Sequence, residues 1–226
     1  MTEIGLLIPT SGYSQEYLDE RVAVAKARVP ASVSFRTIVP PDAPAFFDQG
    51  NDFPKAIAAA GSFVGSLSDS GISVLVASGA IDPGLDALRG ASTIPVVGPG
   101  EAAMYAASLY GRPLCLVTVD EHAVVTAERF LEKVAVKPPI TSIRSIDFPV
   151  RQCMQDIETA RAGVWRECRA AVAEDGAEAI YLGCMVFGTL GITDALRQEL
   201  QVPVFDPIAI SIDVAYQLAQ QLPRRS

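Results

Sequence analysis

The chain has 226 residues, half of them apolar and 19% charged, with a net charge of −8. That is enough apolar material for a buried core in one large domain or two of about 100 residues, and too little charge for a disordered chain. The acidic balance offers no basic face for nucleic acid or an anionic membrane surface, and no apolar run approaches the roughly 18 residues of a membrane span.

Four cysteines, Cys115, Cys153, Cys168 and Cys184, are widely spaced with no C-x-x-C pair, and His122 is the single histidine. Zinc sites draw on clustered Cys and His, so no metal site is expected. One histidine also excludes most His-based triads, leaving carboxylates, Lys, Tyr or a thiol for proton chemistry. Met1 to Gly5 has no basic stretch ahead of its apolar run, so no secretion signal is expected. Reduced cysteines in the cytoplasm are the corresponding expectation.

In chain order, strand-like apolar runs fall at 4–8, 33–39, 73–77, 94–97, 114–119, 140–146, 179–183 and 202–205. Helical patterns lie between them at 15–29, 54–70, 84–90, 100–110, 121–135, 152–174, 190–200 and 208–222. The runs are continuous rather than alternating, as in parallel strands covered on both faces. Strand–helix alternation throughout predicts an α/β fold.

The sequence repeats itself. Asp86-Ala87-Leu88-Arg89, Pro95-Val96 and Pro99 recur as Asp194-Ala195-Leu196-Arg197, Pro203-Val204 and Pro207, each 108 positions on. A buried run ending in small residues precedes each copy: Val74 to Gly79, then Ile180 to Cys184. Two pseudo-symmetric Rossmann-like halves follow, each with a mainly parallel sheet of about four strands. The first half is expected over 1–100 plus 208–226, the second over 101–207. Ligands of open parallel sheets bind beyond the carboxyl ends of strands. The active site is therefore expected in a cleft where Ser78-Gly79-Ala80 meets Gly183-Cys184-Met185.

Each candidate has a plain structural alternative. Cys184 ends an apolar strand before a helix, where backbone N–H groups favour thiolate; it could equally be a buried structural cysteine. Cys115 reads as core, and Cys153 and Cys168 as structural or surface positions. Gly98-Pro99-Gly100 has the outline of a dinucleotide fingerprint. It sits mid-chain, however, and its repeat partner Asp206-Pro207-Ile208 lacks glycines, so it reads as a tight turn. His122 reads as a solvated helix-start residue or a cleft residue. Thr10 and Ser11 follow the first strand and could hold a carboxylate or amide, or serve only to cap the next helix.

Ile81-Asp82-Pro83-Gly84-Leu85-Asp86, Pro95 to Ala102 and Asp175 to Cys184 together resemble the aspartate/glutamate/hydantoin racemase superfamily, nearest its hydantoin and allantoin racemases. The resemblance implies two α/β halves around one cleft, no cofactor and no metal. It also implies two cysteines that exchange the proton of an acidic carbon. Cys184 matches the second-half cysteine, whereas the first-half cysteine falls at Gly79. Arylmalonate decarboxylase, of the same superfamily, has that glycine–cysteine pairing and uses its lone cysteine to protonate a carbanion left by carbon dioxide. Ile4 to Pro9 also resembles that enzyme and maleate isomerase, but its mid-chain tyrosine would fall near Asp120.

The resulting expectation is a cofactor-independent enzyme working beside a carbonyl or carboxylate, with Cys184 as proton donor and acceptor. Backbone N–H groups at Gly79, Ala80 and Met185, with Thr10, Ser11, Ser78, Thr118 and Gly183 nearby, would hold the substrate and its enolate oxygens. A hydantoin or amino-acid racemase comes first, an arylmalonate-type decarboxylase second, and an inactive small-ligand binding protein third. If Gly79 marks a lost acid–base group, a thiol introduced there restores racemisation, and otherwise Ser78 or His122 faces Cys184. The expected partner is a small molecule (hydantoin, amino acid or substituted malonate), with no nucleic acid and no membrane, and the chain is expected to form a homo-oligomer.

Overall fold

The structure, a computed structural model, describes residues 2–47 and 52–223. Residue 1 and residues 224–226, at the two ends of the expected first half, lie outside them. The chain divides into two compact units, Met1–Pro99 with Ser211–Ser226, and Gly100–Ile210.

Unit 1 alternates strand and helix: β1 (Thr2–Leu7), α1 (Gln15–Lys26), β2 (Val33–Ile38), α2 (Asp52–Val64), β3 (Val74–Ala77), α3 (Leu85–Ala91) and β4 (Val96–Val97). Its four strands are parallel in the order β2-β1-β3-β4, with Ile4 opposite both Phe35 and Val74. β1 and β3 are central, and Ile4, Leu7, Val74, Leu75 and Val76 are buried. Leu7, Leu75, Leu88, Ile94 and Val96 belong to one core cluster with Val64 and Ile72. Ser14 caps α1 by accepting from the Tyr17 N–H, with Glu16 in the first turn and Lys26 in the last, as the helix dipole favours. The C-terminal segment joins this unit, where Arg28 Nε donates to Asp213 at 3.1 Å.

Unit 2 repeats the arrangement: α4 (Pro99–Tyr110), β5 (Leu114–Thr118), α5 (Glu121–Lys133), β6 (Ile140–Ser145), α6 (Val150–Gln155), α7 (Ile157–Ala173), β7 (Ala179–Leu182), α8 (Thr193–Leu200) and β8 (Val204–Phe205); the last helix, α9 (Pro207–Gln221), starts in unit 2 and belongs to unit 1 from Ser211 on. Its sheet is also four-stranded and parallel, in the order β6-β5-β7-β8. The order matches unit 1, so the expectation of two mainly parallel four-stranded sheets holds.

The single helix expected over 152–174 is two helices. Asp156 leaves helical geometry at φ −132° and ψ 82°. Its carboxylate then caps α7, accepting from the Thr159 N–H at 3.0 Å and hydroxyl at 2.7 Å. An Asp with Thr three residues on stabilises a helix start more than it stabilises a helix interior.

The turn that resembled a dinucleotide fingerprint is filled by the protein itself. A Cβ at Gly98 would lie 2.6 Å from Asp82 Oδ2 and 2.5 Å from Leu85 Cδ2. The Asp82 carboxylate therefore occupies the space beside the start of α4, where it would oppose a phosphate. In unit 2 the repeat-equivalent Asp206 supplies the carboxylate directly. It accepts from Ile208 N at 2.8 Å, Ala209 N at 3.0 Å and the Thr193 hydroxyl at 2.9 Å.

Candidate active site

The candidate residues sit at the carboxyl ends of β1 and β3 in unit 1, and of β5 and β7 in unit 2. In unit 1, β3 runs into a chain of tight turns. Ser78 N donates to Leu7 O, Gly79 N to Ala77 O at 2.7 Å, and Asp82 N to Gly79 O at 3.0 Å. The Gly79 N–H, expected to face an enolate oxygen, is thus already engaged by the turn. Ser78 is buried, and its hydroxyl reaches Val76 O at a long 3.5 Å. Ala80 is buried beside it.

Gly79 is crowded. A Cβ there would lie 2.5 Å from Pro83 Cδ and 2.6 Å from Pro83 Cγ. The proline ring four residues on covers the face from which a side chain would leave. A cavity of about 10 Å³ bounded by Pro9, Ser78, Gly79 and Pro83 remains in unit 1, room for about one water molecule.

Thr10 follows β1 and is buried, and its hydroxyl has no hydrogen-bond partner among the described residues. Ser11 is exposed, its N–H donating to Pro44 O and its hydroxyl to Ala43 O at 3.0 Å. The two hydroxyls that looked alike in the sequence therefore have different circumstances.

In unit 2, Gly183 leaves β7 with its N–H bonded to Val117 O at 2.7 Å. A Cβ at Gly183 would come within 2.6 Å of Leu116 Cδ2, so glycine lets β7 end tightly against β5. Cys184 is next, in extended geometry, as the cap of a 3-10 turn over Met185–Thr189. The first bond of that turn runs from Phe187 N to Cys184 O. The N–H groups of Met185 and Val186 precede it and lie outside the turn's own bonding. Met185 is buried, as is Thr118 at the end of β5.

The four cysteines separate by environment. Cys115, Cys153 and Cys168 are buried, and Cys184 is partly exposed. Burial pushes the Cys115 thiol up to about 11, with the Ser142 hydrogen bond opposing. Burial likewise pushes Cys153 up to about 12, reinforced by the neighbouring charges of Cys184 and Asp120. Cys168 is pushed up further, again by burial first. Desolvation disfavours thiolate at all three.

Cys153 itself was not singled out in the sequence. Its thiol lies 3.2 Å from Phe148 O, and it sits close enough to Cys184 and Asp120 to feel both charges. The packing of α6 against the 3-10 turn after Cys184 brings Cys153 toward Cys184. No spacing motif links 120, 153 and 184. Asp120 also caps α5, accepting from Ala123 N at 2.9 Å. His122 is exposed on the first turn of α5, the solvated position of its structural reading. No group of three or more His, Cys, Asp and Glu among the described residues is arranged to hold a metal ion. No helix among them is long and apolar enough to cross a membrane.

The sequence profile of the family described as Asp/Glu/Hydantoin racemase matches residues 4–215. A hydantoin racemase of Rhizobium meliloti is 28% identical over 206 residues, covering 91% of this chain and 83% of that protein. Allantoin racemase from Klebsiella pneumoniae superposes with a TM-score of 0.87 at 24% identity, over 97% of this chain and 88% of that one. Arylmalonate decarboxylase superposes with a TM-score of 0.68 at 18% identity, over 98% of this chain and 94% of that one. The two structural likenesses speak for the fold.

Proposed function

The chain belongs to the Asp/Glu/hydantoin racemase family, and from that premise we propose a cofactor-independent enzyme that moves a proton at a carbon beside a carbonyl or carboxylate, with Cys184 as the acid and base. The observation that carries this reading is the contrast among the thiols. Three are buried where thiolate is disfavoured, while Cys184, two residues past β7, is partly exposed at the start of a turn. A partly exposed thiol beside helix-start N–H groups has the environment of a reactive cysteine.

Deprotonation leaves negative charge on the substrate's carbonyl oxygen. In this reading the Met185 N–H, with the hydroxyls of Thr10, Ser78 and Thr118, holds that oxygen and orients the substrate. Gly79, Ala80, Gly183 and Ser11 complete the substrate-binding set of this reading. By likeness to the hydantoin racemase, the substrate is a hydantoin or a related amino-acid derivative. Incubation of L- or D-hydantoins in deuterated water tests this: loss of optical activity with exchange of the acidic hydrogen supports it. Retention of both in every hydantoin and amino acid tried opposes it.

Gly79 favours a second reading. Racemisation needs an acid–base group on each face of the carbon, and Pro83 occupies the space a Gly79 side chain would need. A single thiol suffices to protonate a carbanion formed by loss of carbon dioxide. Carbon dioxide release from a substituted malonate, giving one enantiomer of the product, selects this arylmalonate-type decarboxylase reading.

A further inference from the structure

Arg21 lies in the middle of α1, on the buried face with Leu18 and Ala25. It is only 3% exposed, and neither Nη1 nor Nη2 has a hydrogen-bond partner among the described residues. The acidic residues of its own helix, Glu16, Asp19 and Glu20, are exposed, and none forms an ion pair with it. Its Cζ lies 5.9 Å from the ring centroid of Tyr13 and 5.8 Å from that of Tyr17. Those rings supply cation–π attraction, but they leave the N–H donors unspent.

The direction of the side chain is set by the helix. Long helical side chains lean toward the N-terminus, and Tyr13 precedes α1 in the loop that leaves β1. The guanidinium thus lies at the head of α1, toward the carboxyl end of unit 1's parallel sheet, the end at which such sheets receive ligands. The Thr10 hydroxyl in the same loop is also buried and without a partner. Phe46 stands edge-on to Tyr13, with ring centroids 5.7 Å apart, and Gly12 N donates to Ala45 O. This loop pairing backs the Tyr13 ring that stands beside the cation.

We propose that Arg21 anchors a binding site for the carboxylate of a small organic acid, at the carboxyl end of the unit 1 sheet. An isolated buried cation is costly, and a planar fork with free donors matches a carboxylate through two parallel bonds. The aromatic surroundings suit an organic acid better than a hydrated inorganic anion. The site shares Thr10 with the substrate site proposed above, but it uses neither Cys184 nor any proton transfer, and its test involves no turnover.

The test uses the full chain, by thermal unfolding and titration calorimetry with sodium acetate and sodium succinate at constant ionic strength. Sodium chloride and sodium phosphate are the controls. The site requires that acetate or succinate raise Tm in a saturable way beyond chloride and phosphate. In Arg21→Met the carboxylate-dependent rise disappears, while the ligand-free variant melts at or above the ligand-free parent because a buried unpaired charge is gone. Arg21→Lys, which keeps the charge without the fork, binds at least tenfold more weakly. The proposal is overturned if carboxylates do no more than chloride, if phosphate stabilises equally, or if Arg21→Met or Arg21→Lys retains the parent's response.

Discussion

Arg197 in α8 reaches forward to β8 and donates to the Val204 carbonyl twice, from Nε at 3.1 Å and Nη2 at 2.7 Å. Its repeat counterpart Arg89 in α3 donates from Nε to the Val96 carbonyl of β4, also at 3.1 Å. The repeat thus includes a shared hydrogen-bonding device as well as shared helices and strands. In each unit an arginine on the helix ties down the following edge strand. Those strands are only two residues long, with few ladder bonds of their own, which explains why the arginine recurs with the Pro-Val pair.

Arg197→Met is therefore expected to destabilise the protein by about 2 kcal/mol, since it removes two bonds from a charged donor. Asp194→Ala removes only the ion pair of Arg197 with an 88% exposed carboxylate, and costs less than about 0.5 kcal/mol. Urea unfolding of both variants checks the contrast. Equal losses would mean that the surface pair, and not the strand tie, matters.

Acid stability depends on Asp175. Arg144 donates to its carboxylate from Nε at 2.6 Å and Nη2 at 2.8 Å, with Ser142 as a further donor. Chiefly the Arg144 bonds hold this carboxyl down at about 2. A group whose pKa is lower in the folded state stabilises fully above its unfolded value near 4. It loses that contribution as pH falls toward 2. The expected loss is on the order of 1–2 kcal/mol once solvent screening is allowed for. Asp175→Asn should flatten the stability curve between about pH 4 and 2 relative to the parent, as measured by chemical unfolding at stepped pH. An unchanged slope would assign the acid sensitivity elsewhere.

What the sequence revealed and what it hid follow from the range of the interactions. Strand runs such as 114–119 and 179–183 were legible because burial on both faces leaves unbroken apolar stretches. The repeat was legible because Asp-Ala-Leu-Arg and Pro-Val recur in fixed register. The break at Asp156 was hidden by helical patterning on both sides of it. Arg21 looked like any polar residue of a surface helix, since its surroundings include Tyr13 in the preceding loop, which packs in turn on Phe46. The proximity of Cys153 to Cys184 likewise depends on packing between segments some thirty residues apart.

The same limit applies at Gly79, where the sequence suggested that a thiol would simply restore a second acid–base group. Pro83 makes that substitution a steric problem. Even Gly79→Ala places a Cβ about 2.5 Å from the proline ring and is expected to cost about 1–3 kcal/mol. Adding Pro83→Ala should recover most of that loss, apart from the roughly 0.4–1 kcal/mol that proline's restriction of the unfolded chain contributes. Gly79→Cys alone is expected to racemise no better than the parent. Gly79→Cys with Pro83→Ala should gain within the 10²–10⁴-fold range of one positioned acid or base, roughly. A stable Gly79→Ala protein would show that the turn yields easily, and the steric account would fail.

Thiol reactivity offers the most direct check on Cys184. Alkylation by iodoacetamide goes through thiolate, whose fraction falls about tenfold for each unit by which the pKa exceeds the ambient pH. Relative to an ordinary thiol near 9, Cys115 at about 11 and Cys153 at about 12 lose roughly 10²- and 10³-fold in thiolate fraction at pH 8. Burial slows reagent access to both, and to Cys168, still further. Cys184 should thus be labelled first by at least tenfold, as read by mass spectrometry of peptides from protein quenched at intervals. The other three should react only after unfolding in urea. Cys184→Ala should also lower exchange of the substrate's acidic hydrogen by about 10²–10⁴-fold, the usual contribution of a positioned acid or base, while leaving the urea midpoint nearly unchanged because the side chain is only partly buried. Early labelling of Cys153 instead would make it the proton-transfer group, with Asp120 as its neighbour. Full exchange activity in Cys184→Ala would remove the thiol from the mechanism altogether.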